Sequence, residues 1–271
     1  MKIKKGYIII LTIVILYFVL MYFLFMRSSP QMIPTSGEIT IILSPNTVWR
    51  YRNNRWKEIS SENSIQNQYY DLYIDNKLIG NYELGYMDDS WRYYPNENCL
   101  ATDINCVDKS LINENFIAIT GDRDISVVET NKETLEKSDK YVKQVLQELG
   151  LKESNYLSIE KISIDYDNDK QNEMLYAVDN VFQFNDDASK YYSIVFVVDK
   201  EEVRILSKNI TSSEYDNCSI SISNILNLST NKKYSVITKC MYNDMVGSCH
   251  EMFELKQGNF VKVMSCDTPS L

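Results

Sequence analysis

A chain of 271 residues with 44% hydrophobic and 24% charged side chains has the composition of a folded protein, long enough for one large or two small cores. It holds 28 basic against 37 acidic residues, net −9; the first 27 residues carry four basic side chains and no acidic one, so the remainder has 24 against 37, net −13. So acidic a surface repels phosphate backbones and excludes nucleic acid as a partner.

The first predicted element is a transmembrane helix over residues 7–26, which contain no charge. Twenty residues at helical rise cover about 30 Å, the thickness of a hydrocarbon core. Tyr7, Tyr22 and Phe23 lie near its ends, where aromatic rings favour the interface. A cleaved signal peptide would have a shorter apolar core and a small-x-small cleavage site. Here Phe25, Met26 and Arg27 follow directly, and no cysteine stands there as a lipid acceptor. Lys2, Lys4 and Lys5 precede the helix and only Arg27 follows, which places the tail 1–6 in the cytoplasm and the rest outside the cell membrane. Residues 27–37, with two prolines and small polar residues, read as a linker.

Beyond the linker the pattern is mainly β: 20 Tyr, 8 Gly, 5 Pro and alternating β-branched residues. A β-rich domain is expected over 38–150. Hairpins are predicted for 47–59 around Asn53-Asn54, 69–84 around Asp75-Asn76, and 116–129 around Gly121-Asp122. Trp49, Trp56 and Trp91 read as core or cross-strand packing residues. An amphipathic helix is predicted for 132–149, with Leu135, Ser138, Val142, Val145, Leu146 and Leu149 on one face, a capping box from Thr130 and Glu133, and Gly150 at its end. Strands resume over 151–271, with a turn at Gln257-Gly258-Asn259.

All six cysteines lie in the exported part: Cys99, Cys106, Cys218, Cys240, Cys249 and Cys266. An even number in an oxidising compartment predicts disulfides. Cys99 and Cys106 are close enough in sequence for a local bridge, and at least one more bridge is expected among the last four, whose connectivity stays open. With no C-x-x-C pair, zinc is the weaker reading.

The most informative stretch is Ile162 to Tyr176, with Asp165, Asp167 and Asp169 alternating and Glu173 four residues later. Carboxylates two apart in a tight loop, with the backbone carbonyl of Gln171, supply hard oxygen ligands for calcium. It is not an EF-hand: Lys170 and Tyr176 stand where that loop needs Gly and Glu. The stretch resembles the strand–DxDxDGxxE–strand calcium loops of FG-GAP/VCBS-type repeat proteins, and carries Lys170 where that family has Gly. The resemblance implies bacterial surface proteins with propeller-blade-like repeats and structural calcium. A second copy, 62 residues on, puts Asn227, Ser229, Asn231 and Ser235 on the four carboxylate positions and should bind no ion. A period near 60 suits a four-stranded blade.

No H-E-x-x-H, G-x-S-x-G or phosphate-loop motif is present. The single histidine, His250, follows Cys249; neighbours on a strand face opposite ways, so the two make a poor nucleophile–base pair, and a surface histidine beside a bridged cysteine is expected. The leading functional reading is a non-catalytic membrane-anchored module facing an extracellular protein or glycan. The alternative is a membrane-tethered hydrolase using Asp/Glu acid–base chemistry, whose mark would be two carboxylates converging in a cleft.

Overall fold

The structure is a computed structural model. It describes residues 38–43, 47–53, 55–59, 69–87, 92–95, 116–120, 125–153, 157–167, 169–181, 190–213, 217–228, 233–242, 248–256 and 258–265. The expected tail, membrane span, linker, Trp91 and the Cys99–Cys106 bridge lie outside the described residues. Among the described residues no helix is long and apolar enough to cross a membrane.

The region 35–271 forms one compact unit of antiparallel sheets. The first sheet uses β1 (Ile39–Leu43), β2 (Thr47–Arg52), β3 (Arg55–Glu58), β4 (Tyr69–Ile74), β5 (Lys77–Met87), β6 (Arg92–Pro95) and β7 (Phe116–Thr120), in the order β3-β2-β1-β7-β4-β5-β6. The expected turns at Asn53 and at Asp75-Asn76 are present; these residues take positive φ (53°, 49° and 63°), which Asn and Asp tolerate best among residues with a side chain. The expected hairpin around Gly121-Asp122 is not formed. β7 is taken by β1 and β4, and the chain leaves for another sheet.

It enters that sheet as β8 (Ile125–Val127), continues as β9 (Lys132–Thr134) and turns into α1 (Lys140–Glu148). The predicted helix is therefore too long at its start. Lys132–Thr134 is recruited as a strand against Glu160–Ile162, and Glu133 faces Lys161 at 3.7 Å instead of closing a capping box. The cap is Asp139, whose carboxylate accepts the N–H groups of Tyr141 and Val142 at 2.9 and 3.1 Å and the Tyr176 hydroxyl at 2.6 Å. The C-terminal prediction holds: Gly150 has φ +65°, and Leu151 and Gly150 donate to the carbonyls of Leu146 and Gln147, a Schellman ending.

β10 (Ser158–Ile164), β11 (Glu173–Asp179), β12 (Tyr191–Asp199) and β13 (Glu202–Thr211) form a meander with β9 on its β10 edge. β14 (Cys218–Leu228), β15 (Lys233–Tyr242), β16 (Ser248–Lys256) and β17 (Asn259–Ser265) form another, with β8 on its β14 edge. The segment before residue 150 thus supplies an edge strand to each of the two sheets built after it.

Four apolar layers fix the stacking. Val142, Val145 and Leu146 of α1 cover Tyr176, Ile194 and Phe196 on one face of the second sheet, where Tyr176 and Phe196 stack at 4.8 Å. Leu175, Val195 and Val197 on its other face meet Ile220, Ile225 and Val236 of the third sheet. The opposite face of the third sheet, with Leu226, Ile237 and Met252, meets Trp49, Ile41 and Ile119 of the first. The outer face of the first sheet carries Tyr70, Leu72 and Phe116. β11 and β12 are near-continuous apolar runs because both their faces are covered, and each large side chain so buried contributes about 1.5–3 kcal/mol. The sheets stack in series and do not close into a propeller.

Polar groups pin the layers. Asp179 accepts from Ser193 Oγ at 3.2 Å and from Ser219 Oγ across the second and third sheets; burial pushes its carboxyl above the ordinary range against these bonds. Trp56 Nε1 donates to Glu254 at 2.6 Å, and Asn224 Nδ2 donates to Asn76 at 2.8 Å, between the first and third sheets. His250 is buried at that same junction, 1% exposed, not at the surface as its sequence position suggested. Cys218 and Cys240 form a disulfide. Cys249 is also disulfide-bonded.

Candidate metal centre

The acidic loop joins β10 to β11, which pair from Ser158↔Asp179 to Ile164↔Glu173 and then part. Its shape comes from carboxylates that accept their own backbone. Asp167 accepts the Asp169 N–H at 3.0 Å, Asp169 accepts the Gln171 N–H at 2.8 Å, and Asp165 accepts the Lys170 N–H at 3.1 Å. Glu173, 2% exposed, accepts the Tyr166 N–H at 2.9 Å. Tyr166 plugs the loop into the core between the second and third sheets, edge-on to Phe260 at 4.9 Å.

Asp165, Asp167 and Glu173 each offer an oxygen to one group in which all three atoms lie within 4.8 Å of one another. Asp165 Oδ1 is buried and has no hydrogen-bond partner. Burial, and then the nearby Asp167 carboxylate, hold the Glu173 carboxyl above its ordinary range, against the Tyr166 N–H that lowers it. Three acidic oxygens so close repel one another when ionised, and a hard divalent cation at their centre removes that repulsion.

One carboxylate expected at the site, Asp169, is placed differently. Asp169 turns to Lys200, whose Nζ lies 2.8 Å from its Oδ2; the same ammonium is 4.0 Å from Asp167. Lys200 and the Gln171 N–H together hold the Asp169 carboxyl below its usual range. Gln171 is exposed in the loop. Lys200 was not foreseen from the sequence. It sits in the turn between β12 and β13, with φ 47°, and reaches the loop because β12 pairs with β11 from Val198↔Met174.

Lys170 has φ 72°, in the left-handed region that favours glycine. A side chain there costs roughly 1–2 kcal/mol, of which glycine's chain entropy returns part. Lys170→Gly is therefore expected to stabilise the protein by about 0.5–1 kcal/mol and raise Tm by a few degrees in a thermal melt. An unchanged or lower Tm would show that the lysine side chain offsets its own backbone strain.

The expected second copy of the loop falls between β14 and β15. β14 and β15 place Leu226 opposite Ser235, an offset of 62 from Ile164 opposite Glu173. The pairing then continues for two further rungs, Asn227↔Tyr234 and Leu228↔Lys233. Ser229 and Asn231 fall outside the described residues.

Cys249 is bridged and His250 is sealed between sheets, so neither can serve as nucleophile or base at a surface cleft. No protein-family model, curated protein or solved structure matches the chain.

Proposed function

We propose that the chain is a non-catalytic surface module, held in the cell membrane by residues 7–26 with its N-terminus cytoplasmic, whose extracytoplasmic β-region takes one structural calcium and faces an extracellular protein or glycan. The observation that carries the calcium is the convergence of Asp165, Asp167 and Glu173, one oxygen of each lying within 4.8 Å of the others. Asp165, Asp167 and Glu173 bind the ion; Asp169 is shared with Lys200, and Gln171 contributes through its backbone. The ion joins the ends of β10 and β11 and, through Tyr166, the second sheet to the third. The common 62-residue offset supports reading the two hairpins as repeats of one unit, of which only the first keeps acidic ligands. Disulfides agree with an oxidising compartment.

The test is thermal melting in calcium and in chelator. At a hundredfold excess over its dissociation constant, calcium is expected to add about 2–3 kcal/mol, roughly 5–10 °C in Tm for a domain of this size. Asp167→Asn should lose most of that response while still folding in chelator. No calcium response at millimolar levels would reduce the loop to an acidic turn, and a full response in Asp167→Asn would put the ion elsewhere.

A further inference from the structure

The exported chain is strongly acidic, yet one face of its β2–β3 hairpin gathers cations. In the β2–β3 ladder, Arg50 is opposite Lys57 and Arg52 is opposite Arg55, so two adjacent rungs on one face of the sheet each set cation against cation. These four side chains, with Asn53, Glu58 and Ile59, line an open concavity of about 650 Å³. Like charges opposed across a ladder weaken it. Glu38 answers part of the charge, at 3.0 Å from Arg50 Nε and 3.9 Å from Arg52 Nε. Arg52 remains 63% exposed, and among the described residues neither Arg55 nor Lys57 has an ion-pair partner. β3 is an edge strand, and charge on an edge discourages sheet-to-sheet pairing. One or two charges of either sign would do that; four of one sign in a chain with a surplus of carboxylates form a site for an anion.

We propose that this hairpin face docks on the anionic phosphate headgroups of the membrane surface, resting on the reading of residues 7–26 as the anchor. Guanidinium groups match phosphate oxygens in a two-pronged geometry, and several in one concavity suit a surface that presents many phosphates side by side. The covalent path allows it. Glu38, clamped by Arg50, is only twelve residues beyond Met26, and an extended chain of that length reaches at most about 40 Å. An anionic surface repels the rest of the acidic domain, so the hairpin is the face that approaches and the domain is seated in one orientation.

The experiment uses the full chain with vesicles of phosphatidylcholine alone or with added phosphatidylglycerol, and reads amide hydrogen exchange over residues 48–58. Exchange is expected to slow on phosphatidylglycerol vesicles only, and the slowing to vanish in half-molar salt. The triple variant R52Q/R55Q/K57Q, which keeps the Arg50–Glu38 pair, should lose that protection on the phosphatidylglycerol vesicles. The salt arm keeps the test decisive on the native protein should the variant fold poorly. Equal protection on both vesicle types, or protection that survives the triple variant, overturns the proposal. So does equal protection by free tripolyphosphate on neutral vesicles, which would make this a soluble-oxyanion pocket. Resistance to alkaline carbonate reports the anchor separately. An extractable chain with a protected hairpin loses the anchor and keeps the docking; a resistant chain with an unprotected hairpin does the reverse.

Discussion

Lowering the pH from 6.5 to 3 is expected to remove on the order of 4 kcal/mol of stability through His250 alone, and His250→Asn is expected to lose that part of the dependence. His250 lies on β16, opposite Lys239 on β15, buried where the third sheet meets the first. Its Nδ1 is 3.2 Å from Thr47 Oγ1, and the Trp49 ring stands edge-on at 6.3 Å. Burial, and after it the Lys239 charge, depress its pKa from 6.5 to about 3. Between those values the unfolded chain binds a proton that the folded chain refuses. The stability is therefore complete above pH 6.5 and drains away as pH falls toward 3. Asparagine keeps a polar partner for Thr47 without a titrating ring; it should cost about 1–2 kcal/mol at pH 7 for the smaller volume and weaker bond. Asp179, raised by burial, acts in the opposite sense, its share being present at low pH and lost as pH rises beyond 3.8, so the native profile is a composite. The difference between native and variant urea midpoints at pH 7, 5 and 4 isolates the histidine. Curves that stay parallel down to pH 4 would mean that His250 is protonated in the folded state and that the sheet junction opens to water.

What the sequence made legible was local. Turns at Asn53, Asp75-Asn76 and Gly258 were readable because these residue types tolerate the positive φ that tight hairpins need. Gly150 marked a helix end for the same reason. β14 was also legible in principle, since Cys218–Ser223 alternates Ser with apolar residues; its bulge between Ile222 and Asn224 then shifts the phase, so that Ile225 joins Ile222 in one core and Leu226 faces the other. Pairing between distant segments was not legible. Nothing in Phe116–Val128 shows that its two apolar runs belong to different sheets, because the decision rests on which neighbours remain unpaired. Lys132–Thr134 has helix-forming residues and still becomes a strand, since β10 offers an edge and Asp139 a better cap.

The site divided in the same way. Spacing singled out Asp165, Asp167 and Glu173 because residues of one loop are local in sequence, and the structure brings an oxygen of each within 4.8 Å of the others. Lys200, thirty-one residues from Asp169, enters only through the register of three strands, and it takes one of the expected carboxylates for an ion pair. The cationic hairpin was visible as R-Y-R-N-N-R-W-K, yet the meaning of those letters depended on the pairing that sets Arg52 against Arg55 on one face. His250 misled because its neighbour Cys249 sits at the less buried side of the strand, while the opposite side is sealed by the first sheet.

Removing the Cys218–Cys240 bridge is the other change expected to have a large effect. The bridge links the outer ends of β14 and β15, with Cα atoms 5.7 Å apart and 22 residues of separation, and both sulfurs lie in the core between the second and third sheets. A ring of that length restricts the unfolded chain by about 3 kcal/mol. The double variant Cys218→Ala/Cys240→Ala should lose roughly that much and about 6–12 °C of Tm, because alanine leaves no polar group in the core. A freer unfolded chain exposes more surface, so the urea m-value should rise in the same variant. The two readouts separate the causes. A large loss with unchanged m would place the effect in packing around the vacated sulfur positions, and a loss below about 1 kcal/mol would show that the unfolded chain keeps β14 and β15 together without the bridge. The proposed calcium would bear on the same junction from the other side, since Tyr166 of the acidic loop packs into the core that holds the two sulfurs. Loss of the bridge should therefore leave the calcium response of the melting temperature in place while shifting the whole curve down, for the bridge acts on the unfolded chain and the ion on the folded one.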